Sequence, residues 1–414
     1  MDVLYPNCAG LDVHKKSVTA CHRTRDAQGK EVFTKRTFNT FTHGLLALSD
    51  WLSACGATPV AMESTGEYWK PVYNLLEGQF EVLVVNAHHY RNVPGNKTDP
   101  KDAAWLAQLL AHGLLRASFI PPPPQRERRE LTRHRSNFIR ERVNLVNRLQ
   151  KTLESANIKL ACVATDVMGV SGRAILEALI GGQTDPAAMA ELSRGRLRKK
   201  RDELAQALEG RIKPHHRLIL SELLCQIDSL EETIARFDTA IEQACLPFAE
   251  AVERLDTIPG IGRLAAEAIV AEIGTDMSRF PTAGHLCAGA GVCPGNNESA
   301  GKRLSGRIRH GNQPLRRVLV EAAHAAVHTK ETSLSAQYHR LVGRTGKKRA
   351  ILAVAHSILV IAYHLIARKE SYKELGAEYF DKRQPEATAR RLVSRLQRLG
   401  YEVALKQQQA PTAA

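Results

Sequence analysis

Aromatic residues make up only 5% of the 414-residue chain, so stacking on bases is not its main recognition device. Its 8 cysteines include no CxxC pair and no His/Cys cluster at zinc-ligand spacing. A zinc ribbon is therefore excluded, and the thiols read as small core hydrophobes in a reducing compartment. No segment approaches the ~20 uninterrupted apolar residues of a membrane helix. The N-terminus, "MDVLYPNCAG", lacks the basic-then-apolar order of a signal peptide. The expectation is a cytoplasmic chain with no membrane partner. Acid is the other shortage: 43 Asp and Glu stand against 58 Lys and Arg, a net charge of +15. Such an imbalance points to a polyanionic partner, most commonly nucleic acid.

The basic residues are clustered rather than scattered. "RERRELTRHR" (126–135) is followed by Arg140, Arg142 and Arg148, and "RGRLRKKR" (194–201) by "KRLSGRIRHGNQPLRR" (302–317) and "RTGKKR" (344–349). One such run is usually a solvated face. Four in one chain favour contacts to a phosphate backbone.

A chain this long exceeds one compact core, so two or three domains are expected. Residues 1–120 read as α/β. Strands at 7–13, 17–23 and 31–38 form an antiparallel meander, followed by a helix at 42–55, a strand at 59–64, a helix at 68–78, a strand at 81–87 and a helix at 99–115. The order βββαβαβα is that of a ribonuclease H-like fold. Four prolines at 121–124 mark a boundary. A helical 121–250 region follows. In it Phe138, Val143, Leu145, Leu149 and Leu153 line one helix, while Leu220, Leu223, Ile227, Leu230, Ile234, Phe237, Ile241 and Ala244 step by three and four. That heptad seam predicts a coiled coil. Residues 251–370 form a third, mostly helical domain in which "LDTIPGIGRLAAEAIVAEIG" (255–274) resembles a helix-hairpin-helix. Its glycines and the first turn of the second helix suit phosphate contact. A basic tail, 371–414, completes the chain.

Within the α/β region, the first strand ends "GLDV" with Asp12, the fourth ends "AMES" with Glu63, and the last helix opens "KTDPKDAAW" with Asp99 and Asp102. Acids in a first helical turn also complement the helix dipole, so a cap and a metal site are both open readings of Asp99 and Asp102. The fold pairs the first strand with the fourth, bringing all four acids to one edge of the sheet. Four carboxylates repel unless cations neutralise them, and hard oxygen ligands suit Mg²⁺; two such ions could activate an attacking oxygen and stabilise a leaving one in phosphodiester chemistry.

"GLDVHKKSV", "AMESTGEYW" and "KTDPKDAAWLA" together resemble the DEDD transposases of bacterial insertion sequences, relatives of the Piv-type DNA invertases. The resemblance runs from about residue 5 to about residue 370. It implies a RuvC-like N-terminal domain, with Asp12, Glu63, Asp99 and Asp102 as a tetrad binding two Mg²⁺ ions. It also implies a C-terminal transposase domain with a nucleophilic serine. In "CPGNNESAGKRLSGRIRHG" (293–311) Ser299 falls at that position, although Ala300 separates it from Gly301, and Ser305-Gly306 offers a second candidate. Arg303, Arg307, Arg309, Arg316 and Arg317 could neutralise a scissile phosphate near either serine. The resemblance further implies donor and target DNA, guidance by a structured bridge RNA, assembly as a homo-oligomer and work at the bacterial nucleoid. Two alternatives remain: a metal-dependent Holliday-junction-type nuclease in which water attacks, and a nucleic-acid-binding protein without catalysis.

Overall fold

A computed structural model describes residues 3–64, 66–86, 102–295, 297–308 and 310–405. The chain divides into two compact units, Met1–Pro122 and Pro123–Ala414. The structure is mostly helical, and its one large sheet is mixed and lies in the first unit.

That sheet comprises β1 (Cys8–Val13), β2 (Ser17–Arg25), β3 (Glu31–Asn39), β4 (Pro59–Glu63) and β5 (Glu81–Val85), in the order β3-β2-β1-β4-β5. β1 runs antiparallel to β2 and parallel to β4; β3 is antiparallel to β2 and β5 parallel to β4. This arrangement is consistent with a ribonuclease H/RuvC-like domain. The burial of the strands follows from their places. β1 is central and almost wholly buried, as a strand covered on both faces must be. β3 is an edge strand, mostly exposed and carrying Lys35 and Arg36, charges that discourage pairing with another chain. On one face Leu11, Val18, Val60 and Met62 pack with Leu45, Leu48 and Leu52 of α1 (Thr42–Ala54), and with Val72 and Leu76 of α2 (Trp69–Leu76). On the other, Cys8, Ala61 and Val85 meet α3 (Asp102–Ala111) through Leu106, Leu109 and Leu110.

The second unit opens with α4 (Pro123–Ser155). This helix begins within the four-proline run rather than after it. Prolines fit a first turn, where their missing N–H groups have no intrahelical partner anyway. After the short α5 (Leu160–Val163), α6 (Val170–Ile180), α7 (Pro186–Ala190) and α8 (Arg201–Ala207), α9 (Pro214–Cys245) runs back antiparallel along α4. The direction is fixed by cross-pairs: Arg135 with Asp238, and Arg142 with Glu231 at 2.7 Å. Phe138 and Phe237 meet edge-to-face, ring centroids 5.2 Å apart. Leu145, Leu149 and Leu153 join Leu220, Leu223, Leu224 and Ile227 in one core with α6 and α8. Leu230, Ile234 and Phe237, halfway along α9, are only half-buried. Val143 does not belong to the seam; it is 48% exposed. It lies two residues from Leu145, about 200° around the helix.

A second core holds α10 (Ala249–Asp256), α11 (Arg263–Ile273), α12 (Ala283–Ala290), α13 (Gln313–His328), α14 (Ser333–Thr345) and α15 (Lys347–Arg368). α15 is long and apolar enough to cross a membrane by length and composition, although His356, Ser357 and His364 interrupt its apolar run. Its Val354, Ala355, Ile358, Leu359 and Ala362 are fully buried among the neighbouring helices, the ordinary situation of a core helix. Between α12 and α13 lies a small hairpin, β6 (Asn297–Ser299) and β7 (Lys302–Ser305). The chain then continues into α16 (Tyr379–Arg383) and α17 (Pro385–Arg398).

Candidate active site

β1 and β4 pair in parallel with Ala9 opposite Val60 and Leu11 opposite Met62. One more step in that register sets Asp12 beside Glu63. Side chains alternate along a strand, so Asp12 shares a face with Gly10 and Cys8, and Glu63 with Ala61. This is the face on which α3 lies. The Cys8 thiol donates to the Ala107 carbonyl at 3.3 Å. A Cβ on Gly10 would stand 2.1 Å from the Ala103 carbonyl oxygen and 2.5 Å from the Ala107 nitrogen. Only glycine lets helix and strand approach this closely. As β1 proceeds from Cys8 to Gly10, its contacts on α3 move from Ala107 towards Ala103. The helix therefore runs back along the strand, and its first residue, Asp102, starts at the end where Asp12 stands.

Three of the four expected acids thus lie at one end of the sheet, carried by β1, β4 and α3. Asp99 lies outside the described residues. Among the described residues, no group of three or more His, Cys, Asp or Glu side chains closes into a metal-ligand cluster. The donors are nonetheless carboxylate oxygens, which fit a hard divalent cation. Asp12 is 23% exposed and pairs with His14, whose Nε2 is 3.0 Å from Oδ2. Sequence reasoning passed over His14. Its signal was the two-residue offset from Asp12, which places both side chains on the same face where the strand ends.

In the second unit, Ser299 ends β6 and pairs with Lys302 across a turn formed by Ala300 and Gly301, at φ +50° and +75°. Alanine in the left-handed region costs about 1–2 kcal/mol. Ser305 stands at the other end of the hairpin, opposite Asn297, where its Oγ accepts from the Arg307 N–H at 3.2 Å. Arg307 is exposed, and Arg316 and Arg317 are half-buried. Arg309 and the side chains of Ser299 and Arg303 lie outside the described residues.

The hairpin leads into the capped start of α13, which is held by a buried carboxylate that sequence reasoning also missed. Glu272, near the end of α11, has a side chain 2% exposed. It accepts two hydrogen bonds from Arg133, at 2.7 and 2.8 Å, and one from Asn312 Nδ2 at 2.7 Å. Asn312 is the N-cap of α13, so Glu272 joins α4, α11 and the root of the serine-bearing hairpin. Burial pulls the neighbouring Arg129 down to about 10, against the pull of Glu272 in the other direction. Gly260, at φ +86°, packs on α13 so closely that a Cβ would stand 2.3 Å from the Ala322 carbonyl oxygen. Gly262 begins α11 and has open space around it.

A transposase family model of the IS110 DEDD type matches residues 9–158, which include Asp12, Glu63, Asp99 and Asp102. The model of the transposase IS116/IS110/IS902 family matches 252–339, which include both serines. The chain belongs to the IS110-family DEDD transposases. The resemblance drawn from the three sequence motifs is borne out. The transposase for insertion sequence element IS1111A of Coxiella burnetii is 24% identical over 375 residues, 88% of this chain and 90% of its own. The transposase for IS1328 of Yersinia enterocolitica is 24% identical, over 76% and 82% of the two chains. A 44.8 kDa protein of insertion element IS116 from Streptomyces clavuligerus is 30% identical over 56% of this chain and 61% of its own. The protein is therefore a DNA transposase of insertion-sequence type, and membership implies dependence on a divalent metal.

Proposed function

We propose that this transposase cuts and rejoins DNA with Asp12, Glu63, Asp99 and Asp102 holding two Mg²⁺ ions and Ser299 as the nucleophile. The observation that carries the reading is the aligned register of β1 and β4 with the start of α3, which supports a common role for Asp12, Glu63 and Asp102. Bound cations would lower the charge on the scissile phosphodiester and favour the attacking and departing oxygens. The protein's own share is positional. Gly10 keeps α3 against β1, and Glu272 holds the start of α13 behind the serine hairpin. In the covalent step Ser299 Oγ bonds to phosphorus as the bond to one sugar oxygen breaks. The serine loses its proton, the sugar oxygen gains one, and the phosphoserine ester keeps the linkage available for rejoining. Ser305 is the second candidate, since its Oγ already accepts an amide N–H.

The finer expectations belong to the same reading. The α10–α11 turn contacts phosphates as a helix-hairpin-helix, through the open backbone at Gly262. The α4–α9 pair acts as a coiled coil that assembles a homo-oligomer. Domains at 121–250 and 251–370 divide the labour, and a structured RNA selects donor and target DNA.

The test is a denaturing gel of nicked or suicide DNA substrate incubated with protein and Mg²⁺. A slow-migrating protein–DNA adduct is expected with wild type and with Ser305→Ala, and none with Ser299→Ala. An adduct lost only with Ser305→Ala moves the role to Ser305. Efficient cleavage with no adduct in any variant establishes attack by water and overturns the serine mechanism.

A further inference from the structure

The family matches stop at residue 339, and the chain beyond α15 contributes nothing to the site described above. Its helices α16 and α17 nevertheless enclose, against α14, an open cavity of about 650 Å³. Arg340 of α14, Phe380 and Asp381 of α16, and Arg391, Arg395 and Arg398 of α17 line it. Four guanidinium groups thus face one carboxylate. Among the described residues none of the four arginines makes an ion pair. Arg391 donates only within its own helix, to the Ala387 carbonyl at 3.3 Å and the Thr388 hydroxyl at 3.4 Å. The guanidinium of Arg340 lies over the Phe380 ring, 5.5 Å from its centroid, a contact that orients its fork of donors.

All four arginines are exposed, and α17 buries no residue. Here three of them step by four and three residues along one side of α17, and a fourth comes from a different helix to the same cavity. From Arg391 to Arg398 the ladder spans about 10 Å. Neighbouring phosphates of one strand lie farther apart through space than their rise along the duplex axis, so the ladder is long enough for about two of them. Arginine's planar fork suits phosphate oxygens better than a lysine point charge does. We propose that this cavity seats the phosphate backbone of a nucleic-acid strand, sharing no residue with the candidate active site. The inference rests on the chain's action on nucleic acid but not on which group attacks it.

The experiment measures equilibrium binding of full-length protein to a short DNA and to an RNA of the same sequence by fluorescence anisotropy over a range of NaCl. Binding is measured in EDTA without divalent metal, so the nucleic acid is not cut whichever group attacks and an error in the nucleophile assignment leaves the result untouched. The triple variant R391Q/R395Q/R398Q is expected to bind about tenfold more weakly, with the slope of log affinity against log salt reduced by about 2. R390Q, on the same helix but outside the cavity, should leave the slope unchanged. Arg340→Lys keeps the charge and should weaken binding by a smaller factor, with the slope retained. Loss with DNA alone or RNA alone supports the proposal and names the strand. Unchanged affinity and slope of the triple variant with both polymers would overturn it. So would an effect of R390Q equal to one third of the triple's, which would mean that only total charge matters.

Discussion

The two units use acidic side chains in opposite ways. In the first, Asp12 is 23% exposed, and Glu63 and Asp102 are half-buried, all at the ends of elements meeting at one edge of a sheet. In the second, Glu272 is 2% exposed and enclosed by Arg133, Arg129 and Asn312. Both sets sit inside a basic chain, yet burial and partners separate their roles. An acid saturated by arginines inside a core has no lone pairs left for a ligand, and its energy goes into holding helices together. An acid at a solvent-facing strand end contributes little to the core and keeps its oxygens available.

The largest expected effect is on chemistry. Asp12→Asn, Glu63→Gln, Asp99→Asn and Asp102→Asn should each reduce strand exchange by about 10²-fold or more, measured with purified protein and Mg²⁺. Melting temperatures should stay near wild type. Full activity in any one of them would remove that residue from the site.

Glu272→Gln should do the reverse. Removing one partner of a buried ion pair leaves charged groups uncompensated, at about 3–5 kcal/mol. Denaturant unfolding should show a large loss of stability in the second unit, with activity falling at least as far as the folded fraction falls. A stable Glu272→Gln protein would erase the contrast between the two kinds of acid.

A half-exposed pair gives the smallest effect. Arg173 donates to both oxygens of Asp228, at 2.5 and 2.6 Å, and that hydrogen bonding holds the Asp228 carboxyl below its ordinary value. A depressed carboxylate contributes stability above its unfolded pKa, about 3.9, and loses it as pH falls through the folded value. The side chain is 41% exposed, so screening limits the gain. Asp228→Asn should cost about 0.5–1 kcal/mol at neutral pH, and the difference from wild type should vanish as pH drops below about 4. A difference independent of pH would assign the cost to packing instead.

Much of the first unit was legible in the sequence because its signals are local. Strands of alternating or continuous apolar residues lay between polar turns, and the acids marked where β1 and β4 end. In the second unit the decisive interactions join residues far apart in the chain. Glu272 reads in sequence as one more polar position on a helix, since nothing local announces Arg133 and Asn312 as partners. The composition of α15 resembles that of a membrane segment, since a helix buried among helices also needs apolar residues on nearly every side. Prolines 123 and 124 read as a stop and in fact begin α4.

The half-buried acids of the first unit are proposed to hold divalent metal. Thermal unfolding of wild type, Asp12→Asn and Glu63→Gln, each with chelator and with millimolar Mg²⁺ or Mn²⁺, tests it without relying on catalysis. A ligand that binds only the folded state raises its stability. Metal should therefore raise the melting temperature of wild type by a few degrees and leave both variants unmoved. Equal shifts in all three proteins, or none in wild type, would contradict the claim.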